Sequence, residues 1–196
     1  MRFVATALAC AAFIALTGTG VYAADATPVD QAGFHLVLPA GWTEQPNLEQ
    51  TAVDGFHKGD PGDAVQAFAW ASAARNVFVL VQVTTSSQPV PAGTFRTNLE
   101  AMNKAIPPAM GLAKVTPALS DDGTVMIGTF EGASDKVDTL AMTQGMVDKD
   151  RHVHAYSVMC MMVEPPAPSA QADCHALLGS FQLTLDKTTL LPLEAK

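Results

Sequence analysis

Apolar and polar residues alternate at Phe34, Leu36 and Leu38, a pattern that predicts a strand ended by Pro39 and Gly41. Residues 43–63 are polar and turn-rich, with Asp60-Pro61-Gly62-Asp63 as a turn and a weak strand near Thr51 to His57. Two stronger strands follow, Ala64 to Ala71 and Asn76 to Thr85, joined by Ala73-Ala74-Arg75-Asn76. The second carries Val77, Val79, Val81 and Val83 on one face and Phe78 and Leu80 on the other, so it should be covered on both sides. The period then changes. Phe95, Leu99, Met102 and Ile106 recur at helical spacing, Thr94 can cap the start, and Pro107-Pro108 stops the end.

A β-region comes next. Lys114 to Leu119 and Thr124 to Glu131 flank Ser120-Asp121-Asp122-Gly123, and Val137 to Val147 and His152 to Val163 flank Asp148-Lys149-Asp150. These read as an antiparallel meander that Glu164-Pro165-Pro166-Ala167-Pro168 breaks. A second helix starts at Ser169, a good cap residue, and ends near Gly179; Ala170, Cys174, Leu177, Leu178 and Phe181 share its apolar face. Phe181 to Leu185 can return as a last strand, and residues 186–196 read as a loose tail.

The beginning of the chain has no such period. Arg2 precedes an uncharged run from Phe3 to Leu16, then Thr17-Gly18-Thr19-Gly20 and Val21-Tyr22-Ala23. This order predicts a secretory leader over residues 1–23, cut between Ala23 and Ala24, where Val21 and Ala23 supply the small side chains the peptidase needs. The glycines interrupt the run before the ~20 apolar residues of a spanning helix, so no transmembrane segment is expected after processing. The expected organisation is leader 1–23, polar lead 24–32, one domain over 33–186 and a tail over 187–196. Its class is α+β, an antiparallel meander sandwiched by two helices. Localisation is expected to be periplasmic or secreted.

Charge narrows the partners. The chain carries 11 Lys and Arg against 19 Asp and Glu, a formal charge of −8, and loss of Arg2 with the leader makes it more negative still. There is no basic run, so phosphate backbones and anionic lipid heads are repelled and nucleic acid is excluded. Cys160 and Cys174 lie beyond the leader, and in an oxidising compartment an isolated pair forms a disulfide. The bond would pin the second helix to the last meander strand, closing a loop for which chain entropy gives roughly 3 kcal/mol. A metal site or reactive thiol is the rival reading, and a metal would want nearby ligands.

This order of elements, opened by Leu38-Pro39-Ala40-Gly41-Trp42 and closed by Ser180-Phe181, resembles the PsbP-like superfamily over residues 30–186. Within it the chain looks most like bacterial exported DcrB-like proteins. The resemblance implies an antiparallel sheet between helices and binding of another macromolecule, since members include a photosystem II subunit, a Ran-binding factor and chaperones of secreted toxins. It implies no catalytic motif and no cofactor.

Candidate sites are few. His152 and His154 are two apart on a strand and could hold zinc or copper with Asp148 or Asp150, although the aspartates suit the turn itself. Met159, Met161 and Met162 with Met142 and Met146 could hold copper(I), but Met159 and Met161 share a face with Val153, Ala155 and Val163 and read as core. His35, His57 and His175 stand apart, and no Gly-x-Ser-x-Gly or phosphate loop lies beyond the leader. Trp42 and Trp70 suit either core packing or a partner anchor. The expected function is a non-enzymatic envelope accessory that binds another protein. The alternatives are a metal-binding periplasmic protein and a hydrolase whose site assembles only in the fold.

Overall fold

The computed structural model describes residues 26–59, 62–91, 93, 97, 112–114, 118–133 and 136–193. The predicted leader, its Ala23–Ala24 junction and, apart from Thr97, the predicted helix over 94–106 lie outside them. The fold is α+β, with two antiparallel sheets and two helices among the described residues.

The smaller sheet joins β1 (Thr27–Gln31), β2 (Phe34–Leu38) and β11 (Gln182–Leu183) in the order β1-β2-β11. Residues Thr27–Gln31 of the predicted polar lead thus form a strand of this sheet. Only Val29 of β1 is buried, and the strand is held by its ladder with β2 through Val29↔Leu36 and Gln31↔Phe34. Ala32 and Gly33 both have positive φ, 45° and 86°, the two-residue turn whose twist suits a hairpin. Tyr156 Oη donates to the Ala32 carbonyl at 3.0 Å and ties this turn to the larger sheet.

The larger sheet runs β3-β4-β5-β10-β9-β8-β6, with β7 also on β8. Its members are β3 (Thr43–Glu44), β4 (Ala64–Ser72), β5 (Val77–Thr85), β6 (Leu112–Lys114), β7 (Ala118–Leu119), β8 (Val125–Ala133), β9 (Val137–Val147) and β10 (Val153–Val163). Of the strand expected at 114–119, the described residues place Lys114 at the end of β6 and Ala118–Leu119 in β7. Between β4 and β5 the chain turns through a short 3-10 segment, Ala73–Arg75, with Asn76 at φ 53°.

Helix α1 spans Pro46–Gly59, where the sequence reading placed turns and a weak strand. Leu48, Ala52, Val53 and Phe56 are its half-buried stripe, and Glu49 Oε1 accepts from the Ala69 N–H at 2.9 Å. Helix α2 spans Ala170–Ser180 and buries Ala170, Cys174 and Leu177. Ser169 precedes it without capping it, and its hydroxyl donates to Asp173 at 3.3 Å instead. The Arg75 guanidinium pairs with Asp173 at 3.0 Å, and a Cys160–Cys174 disulfide with Cα atoms 5.7 Å apart joins α2 to β10.

The main core fills the space between the sheets: Phe34, Leu36, Trp70, Val79, Val81, Val158 and Leu177. Phe34 meets Phe68 edge-on at 5.5 Å and stacks on Phe181 at 5.6 Å. On β10 this buried face holds Tyr156, Val158, Cys160 and Met162, whereas Met159 and Met161 are half-buried on the opposite face. The expected core face was thus the wrong one.

Nor are residues 186–193 of the expected tail loose. Leu190 bridges Asp148, and the N–H groups of Leu191 and Leu193 donate to the carbonyls of Val147 (2.9 Å) and Gly123 (2.7 Å). Leu193 is buried with Met126 and Val147. No described helix is long and apolar enough to cross a membrane.

Candidate functional site

The edge of the larger sheet is only partly closed. Strand β3 covers β4 at Ala71 and Trp70, and the Gln45 N–H reaches the Ala69 carbonyl at 2.8 Å. The Ala69 N–H is taken by Glu49. By the period of two, the backbone groups of Ala67 and Val65 point to the same side. They form no hydrogen bond there among the described residues. A groove of about 700 Å³ runs beside them, walled by Glu49, Gln50 and Val53 of α1, by Phe68, and by Gln31 and Ala32 of the hairpin turn.

A second cavity, about 360 Å³, adjoins the first at Gln31. It sits where β1, the edge of the smaller sheet, faces β3, the edge of the larger one. Trp42, Trp70, Glu44, Leu38, Pro28 and Gln31 line it. Trp70 points into the core, only 3% exposed, and stacks on Phe68 at 6.5 Å. Trp42 is half-buried against the core, and its Nε1 is buried without a hydrogen-bond partner. Glu44 stands opposite Trp70 in the ladder, so their side chains share a face. Its carboxylate has no ion pair among the described residues. Asp30 also lines the cavity, but its side chain turns to the far face of the small sheet and bonds His35 at 2.8 Å. The two tryptophans singled out in the sequence therefore meet in one cavity. A third cavity, about 570 Å³, lies at the start of α2 beside Glu131, Asp138, Leu140 and Met162.

The histidines fall elsewhere. His154 uses both ring nitrogens, Nδ1 with Thr85 Oγ1 at 3.1 Å and Nε2 with Asp148 Oδ2 at 2.8 Å. His152 turns its Nδ1 to the Ser86 carbonyl at 2.7 Å. Asp148 Oδ1 accepts from the N–H groups of Asp150 and His152, both at 2.9 Å, and so closes the β9–β10 turn. Asp150 does not join the histidines, and the described residues contain no group of three side chains arranged to hold a metal. His154 would have to give up a bond to bind one. Of the methionines, Met146 and Met162 are buried in the interior and Met142 packs against it.

Burial opposes ionisation of Asp148, but the bonds from His154, His152 and Asp150 overcome it and hold its pKa below the ordinary 3.8. A carboxylate with a depressed pKa adds stability that is complete above the ordinary value and is lost as pH falls through the folded one. The parent protein should therefore lose stability below about pH 4 more steeply than Asp148→Asn. Thermal melts from pH 7 to pH 2 check this, and the two curves should converge at the acid end.

Thr85, His154 and Asp148 form a line resembling a nucleophile–base–acid relay. None of the three cavities is lined by them.

No family model matches the chain, and no curated protein does. Solved structures similar to it include the Ran-binding protein Mog1p of Saccharomyces cerevisiae, at 10% identity and a TM-score of 0.44, over 85% of this chain and 99% of that one. Another is LpqN, involved in cell envelope biogenesis of Mycobacterium tuberculosis, at 10% identity and a TM-score of 0.45, over 82% of this chain and 91% of that one.

Proposed function

We propose that the chain is an exported, non-enzymatic accessory protein of the bacterial envelope, of the DcrB-like group of the PsbP-like superfamily, which binds an extended segment of another protein along the open edge of β4. The observation that carries this is a pair of backbone positions, Val65 and Ala67, that have no edge-side hydrogen bond among the described residues, with a groove of about 700 Å³ beside Gln66, Ala67 and Phe68. A strand edge with free N–H and C=O groups is a template for an added strand, and side-chain pockets beside it supply selectivity. Pairing with a second copy is disfavoured, because it would bring together two chains of formal charge −8. Export is supported by the leader pattern and by the buried disulfide.

The relay of Thr85, His154 and Asp148 favours the hydrolase reading less. Both Asp148 oxygens already serve the turn and the ring, and the hydroxyl lies outside the three cavities.

The test is site-specific photocrosslinking in cells, with the probe at Gln66 and a control probe at exposed Thr129. Gln66 should give a discrete adduct that Thr129 does not. Ala67→Pro removes the edge N–H without breaking a bond among the described residues, and it should abolish that adduct while melting within a few degrees of the parent. An adduct that survives Ala67→Pro at full strength, or no adduct from Gln66, refutes strand addition.

A further inference from the structure

We infer that the cavity between Trp42, Trp70 and Glu44 binds a guanidinium group. Its volume, about 360 Å³, is at the low end for small-ligand pockets and suits one compact polar group rather than a strand. The half-buried Trp42 indole in its wall, beside the largely buried Trp70, offers the π surface on which a planar cation gains most. Glu44 adds a carboxylate on the same face as Trp70, with no cation of this chain paired to it among the described residues. The outer edge of β1 adds Pro28, whose nitrogen carries no hydrogen, so this position offers only a carbonyl acceptor. A carboxylate and a carbonyl beside aromatic rings match the fork of N–H donors on a guanidinium. An anion would meet Glu44 and the negative field of the whole chain.

The chemistry is common to an arginine side chain presented by a protein and to a free guanidine. It is independent of the β4 edge, because Ala67→Pro leaves this cavity's lining unchanged.

The chain has two tryptophans, both in this wall, so indole emission reports the site directly. The mature protein is titrated with acetyl-arginine amide, acetyl-citrulline amide and agmatine, with calorimetry alongside. The arginine probe should give a saturable emission change. Its neutral citrulline isostere should bind at least about tenfold more weakly, and Glu44→Gln should weaken the arginine probe by a similar factor. Glu44 is exposed, and a melt of Glu44→Gln coincident with the parent shows that the fold is intact. If agmatine binds as tightly as the arginine probe, the cavity takes free guanidines; if only the arginine probe binds, it takes a peptide-borne side chain. Both outcomes uphold the site. No signal with the arginine probe in either measurement overturns it, as does equal binding of citrulline or undiminished binding by Glu44→Gln.

Discussion

Replacing Phe34 with alanine should lower the free energy of unfolding by about 3–5 kcal/mol, the range for emptying a buried aromatic position. Phe34 is fully buried and meets Phe68 on one side and Phe181 on the other. It thus joins the small sheet, the edge strand of the large sheet and the end of α2 at one point. The two ring neighbours come from separate elements and cannot both collapse into the space it leaves. A domain of this size has roughly 5–15 kcal/mol in total, so the variant should sit near the limit of folding. Urea titration of parent and variant measures the difference. A change below about 1 kcal/mol would mean that this ring does not anchor the interior.

The second large effect is expected from the disulfide. Cys160 and Cys174 are both fully buried, so the cleanest removal is the double variant Cys160→Ala with Cys174→Ala, which leaves no hydroxyl in the core. The two residues are 14 apart, and the chain-entropy treatment gives about 3 kcal/mol for a loop of that length. Thermal melting in oxidising buffer should fall by roughly 6–12 °C on the usual scaling for domains of 150–250 residues. The parent under strong reductant should fall toward the variant. Coincident melts of parent and variant in oxidising buffer would show that the bond adds nothing to stability.

Much of the larger sheet was legible in sequence because its strands are long and rich in β-branched residues. Val77–Thr85 and Val137–Val147 begin and end within a residue of the expected limits. The misses at α1 and β1 share one cause, a local pattern too weak to outvote its neighbours. Helix α1 carries its half-buried stripe at Leu48, Ala52, Val53 and Phe56, but Pro46, Gly55 and Gly59 dilute the period and suggest turns. Strand β1 has a single buried residue, Val29, so only its partner β2 gives it form. On β10 both faces are apolar, and alternation alone cannot say which is the interior. The disulfide decides it, because Cys160 must face α2. The candidate cavity was half legible. Trp42 and Trp70 stand out as large apolar groups, whereas Glu44 gains its meaning only from its register opposite Trp70.

The small sheet has a consequence for how the molecule comes into being. Its strand β2 pairs with β11 and carries the helix α2, both of which lie far downstream in the chain. A nascent chain emerges amino end first, so Phe34, Leu36 and Leu38 lack part of their cover until Leu177, Phe181 and Leu183 have been synthesised. Completion of the native interior therefore waits on the synthesis of α2 and β11.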